Sequence, residues 1–157
     1  MTSPSTVTAV GARSSADASL PALLFSAYRS MESKIFGALH QVGYDDVTPA
    51  QARVFRVIQS DGSRLTDIAD AAHVTKQTAG FLVDQLIRAG YVTRVPDPAD
   101  ARARLIKIAP RGAAVIPVAA AVVAKAEADW TALLGSDRMH TLQEILQTLW
   151  DATEPMH

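Results

Sequence analysis

The 157-residue sequence contains no cysteine. This absence excludes disulfide bonds, thiolate zinc sites and any switch that depends on thiol oxidation. It also fits a reducing compartment, and we expect a cytoplasmic protein. The four histidines have no metal-ligand spacing between them, so we expect no bound metal ion.

The sequence also lacks a long apolar run. The longest, residues 113–124, is interrupted by Pro117 and is shorter than the ~20 residues that a membrane span requires. Residues 1–19 are rich in Ser, Thr and Ala without the apolar core of a secretory signal, so we expect a flexible tail there. There is no nucleotide-binding loop, HExxH or GxSxG motif, and the sequence therefore favours neither an enzyme nor a bound cofactor.

A strong overall basic charge is absent too, because the net charge is −1. The charge is unevenly distributed, however. Residues 51–111 hold ten Lys/Arg against six Asp/Glu, whereas the remainder holds five against ten. A local basic excess of this kind is the electrostatic footprint expected of a nucleic-acid-binding module within a larger chain.

Residues 64–90 contain two short helical patterns in succession. Thr66 is expected to cap the first helix, which ends at Ala72. Thr75 offers a second capping hydroxyl, and Gly90 ends the helix that follows. That second helix carries an apolar stripe at i, i+3, i+4, i+7 and i+8, which consists of Ala79, Leu82, Val83, Leu86 and Ile87. The pattern predicts a helix-turn-helix, which places its second helix in the major groove of DNA.

The face of the second helix opposite the stripe suits DNA. Glutamine can bind adenine through two hydrogen bonds, and phenylalanine can contact the methyl group of thymine. A glycine allows close approach of the backbone, and the first N–H groups of a helix suit a phosphate. The predicted DNA-contacting residues of this helix are Thr75, Lys76, Gln77, Thr78, Gly80 and Phe81. A solvated helix face is an equally ordinary interpretation, although it explains an outward Phe81 poorly.

Two runs rich in β-branched residues follow the second helix. They are residues 91–95 and 104–108, and they predict a hairpin with a tip at residues 96–103. Arg102 and Arg104 are predicted to enter a minor groove, where the negative potential attracts guanidinium groups. Asp100 is close enough in sequence to orient Arg102 by a charge-assisted hydrogen bond. An ordinary surface hairpin with a solvated arginine is the alternative.

The segment LTDIADAAHVTKQTAGFLVDQLIRAGYVTRVPDPADARARLIKIAPRG resembles the winged helix-turn-helix of the multiple-antibiotic-resistance regulator (MarR) family. The resemblance depends on LxxIA, then LVDQLIRAGYVxR, then D-x-R at Asp100 and Arg102, then Gly112. Helical patterns on either side extend it to about residues 20–152. It implies a mostly α fold with a small β-hairpin wing. The winged helix-turn-helix would occupy residues 47–109, between dimerisation helices at residues 20–46 and 110–152.

The sequence departs from the family pattern at two places. Family members commonly carry Ser and Arg where Gly80 and Phe81 stand, so base recognition here is expected to be less polar. Many also have Leu-Thr before the helix that follows the wing. This chain has Ile108 and Ala109 instead, so Pro110 must start that helix without a capping hydroxyl.

The helices outside the wing are longer than a winged helix needs. Thr48, Pro49 and Gln51 predict one helix start, with that helix running to about Ser60. The resemblance implies a homodimer built by the first and the last two helices. Two recognition helices would then lie about 34 Å apart, which predicts a pseudo-palindromic DNA target. An enlarged monomeric core is the alternative.

The resemblance also implies a ligand site, because family members often bind small aromatic or anionic molecules between the dimer helices and the winged module. The candidate lining residues are Phe36, His40, Tyr44 and Arg53, with Phe25 and Trp130 beside them. A ligand that fixes an unfavourable spacing of the recognition helices would lower DNA affinity.

Two hypotheses of different classes follow from the sequence. The favoured one is a homodimeric, sequence-specific transcription regulator, a repressor released by a small ligand. The alternative is a winged-helix protein-interaction module that has lost DNA binding, with Phe81 packed against a protein partner. Arg102 distinguishes them, because only the first hypothesis needs it for DNA affinity.

Overall fold

The computed structural model describes residues 18–153, so most of the expected tail and residues 154–157 lie outside the described part of the chain. Within it, six helices and one antiparallel hairpin follow in order: α1 Leu20–Gln41, α2 Pro49–Arg56, α3 Leu65–Ala71, α4 Lys76–Arg88, β1 Val92–Asp97, β2 Asp100–Ile108, α5 Pro110–Leu134 and α6 Ser136–Thr153. This confirms the predicted fold class.

The two long helices α1 and α5 pack against each other, and α6 packs against α5. Both α1 and α5 have a proline in the first turn, where the missing N–H leaves no hydrogen bond unmade. No side chain caps the N-terminus of α5, as predicted from the alanine at position 109. Among residues 18–153, none of the helices combines the length and the hydropathy that a membrane span requires.

Helix α2 starts as predicted but ends early. The Thr48 hydroxyl accepts from the Gln51 N–H at 3.2 Å, and the Gln51 side chain accepts from the Thr48 N–H at 2.8 Å, which completes a capping box. The predicted extension to about Ser60 is wrong, because the helix ends at Arg56. After it the Gln59 N–H donates to the Ser63 hydroxyl at 2.9 Å, which turns the chain toward α3.

Helix α3 begins two residues before the position that a cap at Thr66 would require. The prediction that Thr66 is the N-cap is wrong: Arg64 is the N-cap, and Thr66 lies in the first turn, bonded to Asp67. The physical reason is the backbone of Ser63, which forms an antiparallel bridge with Ile106 of β2. The chain is thus held extended up to Ser63, and the helix starts directly after Arg64.

The core lies beneath the helix-turn-helix and the hairpin. The largest side chains with almost no exposure are Val54, Ile68, Val83, Leu86, Tyr91 and Ile106, from α2, α3, α4, the turn before β1, and β2. Burying a side chain of this size contributes about 1.5–3 kcal/mol. The predicted stripe of α4 faces this core, with Ile87 partly buried at its edge. The opposite face of α4 is thereby turned outward.

Candidate nucleic-acid interface

The N-terminus of α4 is capped as predicted and open to solvent. The Thr75 hydroxyl accepts from the Thr78 N–H at 3.1 Å and is 2.9 Å from the Thr78 hydroxyl. Lys76, Gln77 and Thr78 are exposed. The Thr78 side chain is therefore committed partly to the cap, whereas Lys76 and Gln77 remain available to a ligand.

Phe81 lies on the outward face of α4, one helical turn after Gln77. Its side chain is 60% exposed. Within residues 47–109 Phe81 is the one large hydrophobic residue that is exposed, since the others lie on α1, α5 and α6 or at Val42. At Gly80 an added Cβ would lie 3.6 Å from Leu65 Cδ2, an ordinary contact, so packing does not require glycine there.

The wing is a longer hairpin with a shorter tip than predicted. The strands extend to Asp97 and from Asp100, which leaves Pro98 and Ala99 as the turn. The turn is closed by the Asp97 carboxylate, which accepts from the Ala99 N–H at 2.8 Å. A pattern based on β-branched side chains did not predict these strand residues, because this part of the chain is rich in polar residues and contains Pro96. Tyr91, predicted as the first strand residue, is instead a buried core residue.

The hairpin register breaks near its tip. Pro96 lies opposite Arg104, whereas the next residue, Asp97, lies opposite Asp100. Three residues, 101–103, are therefore inserted into β2 between these pairs. Proline has no N–H for a strand ladder, which suits it to such an irregularity. The bulge contains Arg102, which is exposed.

Asp100 holds Arg102 through the backbone. The Asp100 carboxylate accepts from the main-chain N–H of Arg102 at 3.0 Å, in place of the expected bond to the guanidinium. The physical reason is the short separation along the chain, because an Asp side chain readily accepts from the main-chain N–H two residues on. Arg104, also exposed, donates to the carbonyl of Ala103 at 3.1 Å. Asp100 therefore shapes the loop that presents Arg102.

Arg64 anchors the tip of the wing to the start of α3. Its guanidinium donates twice to Asp97 Oδ2, at 3.0 and 2.7 Å, and lies 3.8 Å from Asp100. The Ala99 N–H and then Arg64 hold the pKa of the Asp97 carboxyl below its usual range. Arg64 and Asp97 are 33 positions apart, so no local sequence pattern could have paired them.

A second ion pair joins the wing to the outward face of α4. Arg94 of β1 donates to the carboxylate of Asp84 at 2.7 Å, with both side chains partly exposed. Asp84 follows Phe81 by one helical turn, so the base of the wing lies beside the face that carries Gln77 and Phe81. This pair also neutralises the acidic group nearest to Phe81 along that face.

A cavity of about 520 Å³ lies between α1, α2 and α5. Phe36 and Arg53, two of the predicted ligand residues, are in its lining. The structure does not bring the others together with them. His40 is exposed on α1, and Tyr44 packs against Tyr91 with ring centroids 6.3 Å apart. Phe25 and Trp130 are not in the lining either. Ligand binding stays a prediction.

These elements form a winged helix-turn-helix module between long flanking helices. Residues 45–103 match the model of the MarR family. This match covers the winged module, which is therefore similar to that of MarR-family transcriptional regulators, and the fold of the described residues agrees with it. The proteins that this family model describes are transcriptional regulators, which agrees with the expectation that the protein is not an enzyme.

Solved structures share the fold over most of their length. A crystal structure of MarR matches with a TM-score of 0.68 and 24% identity, over 86% of this chain and 97% of that one. Transcriptional regulator Tm0710 from Thermotoga maritima matches with a TM-score of 0.57 and 27% identity, over 83% and 90%. A mutant of S. aureus MepR bound to an oligodeoxyribonucleotide matches with a TM-score of 0.56 and 20% identity, over 88% and 100%. No curated protein matches the chain significantly.

Proposed function

We propose that the protein is a homodimeric, sequence-specific regulator that binds a pseudo-palindromic site in double-stranded DNA. Helix α4 enters the major groove, and Arg102 of the wing enters the adjacent minor groove. The observation that carries the proposal is the Arg94–Asp84 ion pair, which sets the base of the wing beside the exposed Gln77 and Phe81. Lys76 and Arg104 add exposed positive charge for the phosphates.

Exposed apolar side chains on the flanking helices support the homodimer. They are concentrated on α1 and α6: Leu20, Leu23, Leu24, Phe25, Tyr28, Ile145, Leu146, Leu149 and Trp150. Exposed apolar side chains in such numbers on two helices are typical of a protein interface. A twofold dimer would present its two α4 helices about 34 Å apart, to successive turns of the major groove.

The cavity supports release from DNA by a small ligand. Most of its lining is apolar, while Arg53 and Arg56 supply positive charge at α2. Such a lining suits a small aromatic molecule with an anionic group. Since α1 and α5 belong to the proposed dimer and α2 belongs to the winged module, a ligand here can favour one spacing of the two α4 helices. The protein would then act as a repressor in its ligand-free form.

Selection from a random duplex library with the purified protein tests DNA binding, followed by titration of the selected duplex at about 50 and 200 mM salt. Arg102→Ala is expected to weaken binding at least tenfold and to reduce the salt dependence by about one phosphate contact. The matched control is Arg138→Ala, which removes an exposed arginine from α6 and should leave affinity unchanged. Light scattering should give twice the 16.7 kDa chain mass.

Failure to select any duplex would contradict the proposal and favour the protein-interaction alternative. Equal affinity of Arg102→Ala and the wild type would show that the wing does not contact DNA. A mass of one chain in solution would contradict the dimer. A selected site without twofold symmetry would contradict the proposed arrangement of the two α4 helices.

A further inference from the structure

The exposed phenyl ring of Phe81 is unlike the other exposed apolar side chains of the molecule. Apart from Val42, those side chains lie on α1, α5 and α6, where neighbours on one helix can share an interface. Phe81 stands apart on α4, among polar residues: Gln77 precedes it by one turn, and Asp84 follows it by one turn. Phe81 is therefore not part of an extended apolar surface that a large apolar partner could cover. A partner that covers a single ring fits this location better.

The neighbours of Phe81 suit a groove of DNA. Asp84 is paired with Arg94 at 2.7 Å, so its charge does not oppose an approaching phosphate backbone. Gly80 adds no side chain beside the ring. Residues four apart lie on one face of a helix, so Gln77 and Phe81 reach neighbouring positions along the same groove.

The chemistry of the ring decides which base it can accept. In the major groove, guanine, adenine and cytosine present hydrogen-bonding groups at the edge, and thymine alone adds a methyl group. A phenyl ring has no strong donor or acceptor, so covering a polar edge with it would leave that edge without a partner, at a cost. Covering a methyl group removes apolar surface from water instead.

We propose that Phe81 is a specificity-determining residue that selects thymine through its 5-methyl group, next to the base read by Gln77. This inference rests on the proposed function, because it assigns a base to a contact that requires α4 in the major groove. It accounts for a large apolar side chain kept in solvent on a face that is otherwise polar. One buried methyl group corresponds to about a fourfold change in affinity.

The test uses the duplex selected by the wild-type protein. Each thymine of one half-site is replaced in turn by deoxyuridine, which removes the methyl group and preserves base pairing. Dissociation constants are measured by fluorescence anisotropy. For the wild type, one of these replacements should weaken binding about fourfold. For Phe81→Ala, thymine and uracil at that position should bind equally.

Gln77→Ala is the matched control, since it removes the neighbouring contact from the same face. It should weaken binding overall and keep the fourfold preference for the methylated base. Phe81 is exposed, so Phe81→Ala should keep the melting temperature of the wild type. In a third arm, the critical thymine–adenine pair is replaced by a 5-methylcytosine–guanine pair or by a cytosine–guanine pair. The wild type should bind the duplex with the methylated base more tightly.

Two results would overturn the inference while leaving the proposed function in place. One is a wild type that selects a duplex but responds to the loss of no single methyl group. The other is a Phe81→Ala variant that keeps the thymine preference. If the wild type selects no duplex at all, the proposed function fails, and this inference fails with it.

Discussion

Arg111, at the start of α5, holds Asp46, in the loop before α2, through two hydrogen bonds of 2.8 and 3.0 Å. The Tyr91 hydroxyl donates to the same carboxylate at 2.5 Å, and the Arg111 guanidinium lies 4.4 Å from the centre of the Tyr91 ring. Arg111 also donates to the carbonyl of Ala89, at the end of α4. We call Asp46, Tyr91 and Arg111 the clamp.

The clamp joins the flanking helices to the winged module. Asp46 follows α1, Tyr91 precedes β1 and Arg111 begins α5. The Tyr91 bond and then Arg111 hold the pKa of Asp46 below its usual range. Burial and the bond to Asp46 raise the pKa of the Tyr91 hydroxyl, which therefore stays protonated and donating at neutral pH. The clamp thus fixes how the two parts of each protomer meet.

Tyr91→Phe should lower the free energy of unfolding by about 1.5 kcal/mol, because it removes a hydrogen bond to a charged carboxylate and keeps the buried ring. Chemical denaturation at pH 7 measures this change. The matched control is Tyr44→Phe, since the Tyr44 ring packs on Tyr91 while its hydroxyl is not part of the clamp. An equal loss in both variants would contradict a specific role for the Tyr91 hydroxyl.

Gly112→Ala should destabilise the protein by about 1–3 kcal/mol or more, because the added methyl group would overpack the interior. An added Cβ would overlap the carbonyl oxygen of Tyr91, and it would lie 2.9 Å from Phe55 Cε2 and 3.1 Å from Ile108 Cγ2. A backbone oxygen in the core cannot retreat as a flexible side chain can.

Gly37→Ala, in α1, is the matched control for Gly112→Ala. An added Cβ there meets nothing within 4 Å. Gly37→Ala should raise the free energy of unfolding by roughly 0.5–1 kcal/mol, since alanine is a better helix former than glycine. Thermal melts of the two variants should therefore shift in opposite directions. A Gly112→Ala variant as stable as the wild type would contradict the overlap.

Local patterns predicted the parts of the site that local forces determine. The stripe of α4 follows from helical periodicity, and its cap follows from the hydroxyl of Thr75, so that both could be predicted from adjacent residues. Once the stripe is buried, the exposure of Gln77 and Phe81 is fixed as well. The hairpin was predicted for the same reason, because its base is rich in β-branched residues.

The features that the sequence did not predict depend on contacts between distant residues. Asp46 and Arg111 are 65 positions apart, and nothing near either residue indicates the other. The cap at Thr66 was predicted wrongly because the bridge between Ser63 and Ile106, which sets the start of α3, is a tertiary contact. The full length of the wing depends likewise on Arg64, which holds the polar tip from outside the hairpin.

The anchor of the wing should weaken in acid. The pKa of Asp97 is lowered in the folded state, so the ionised carboxylate stabilises the fold at pH values above its unfolded pKa, near 3.9. This stabilisation is lost as the pH falls through the lower folded pKa. Asp97→Asn keeps an oxygen for the Ala99 N–H and removes the charge opposite Arg64. The variant should be less stable than the wild type at pH 7, and the difference should shrink below about pH 4.

Denaturation curves of both proteins between about pH 7 and pH 2.5 measure that difference. Asp129→Asn is the control, since Asp129 pairs with Lys125 on the surface of α5. It should change stability little, because an exposed ion pair contributes little. A difference between Asp97→Asn and the wild type that persists undiminished at pH 2.5 would show that the charge on Asp97 is not what anchors the wing.

Gly80→Ala separates stability from DNA binding on α4. The added Cβ would make an ordinary contact with Leu65 Cδ2 at 3.6 Å, so the variant should be more stable by roughly 0.5–1 kcal/mol. If the glycine lets the helix backbone approach DNA, the same variant should bind the selected duplex several-fold more weakly. Gly37→Ala should share the gain in stability and keep full affinity. A Gly80→Ala variant that melts higher and binds DNA as the wild type does would mean that the helix does not need this glycine to reach the base edges.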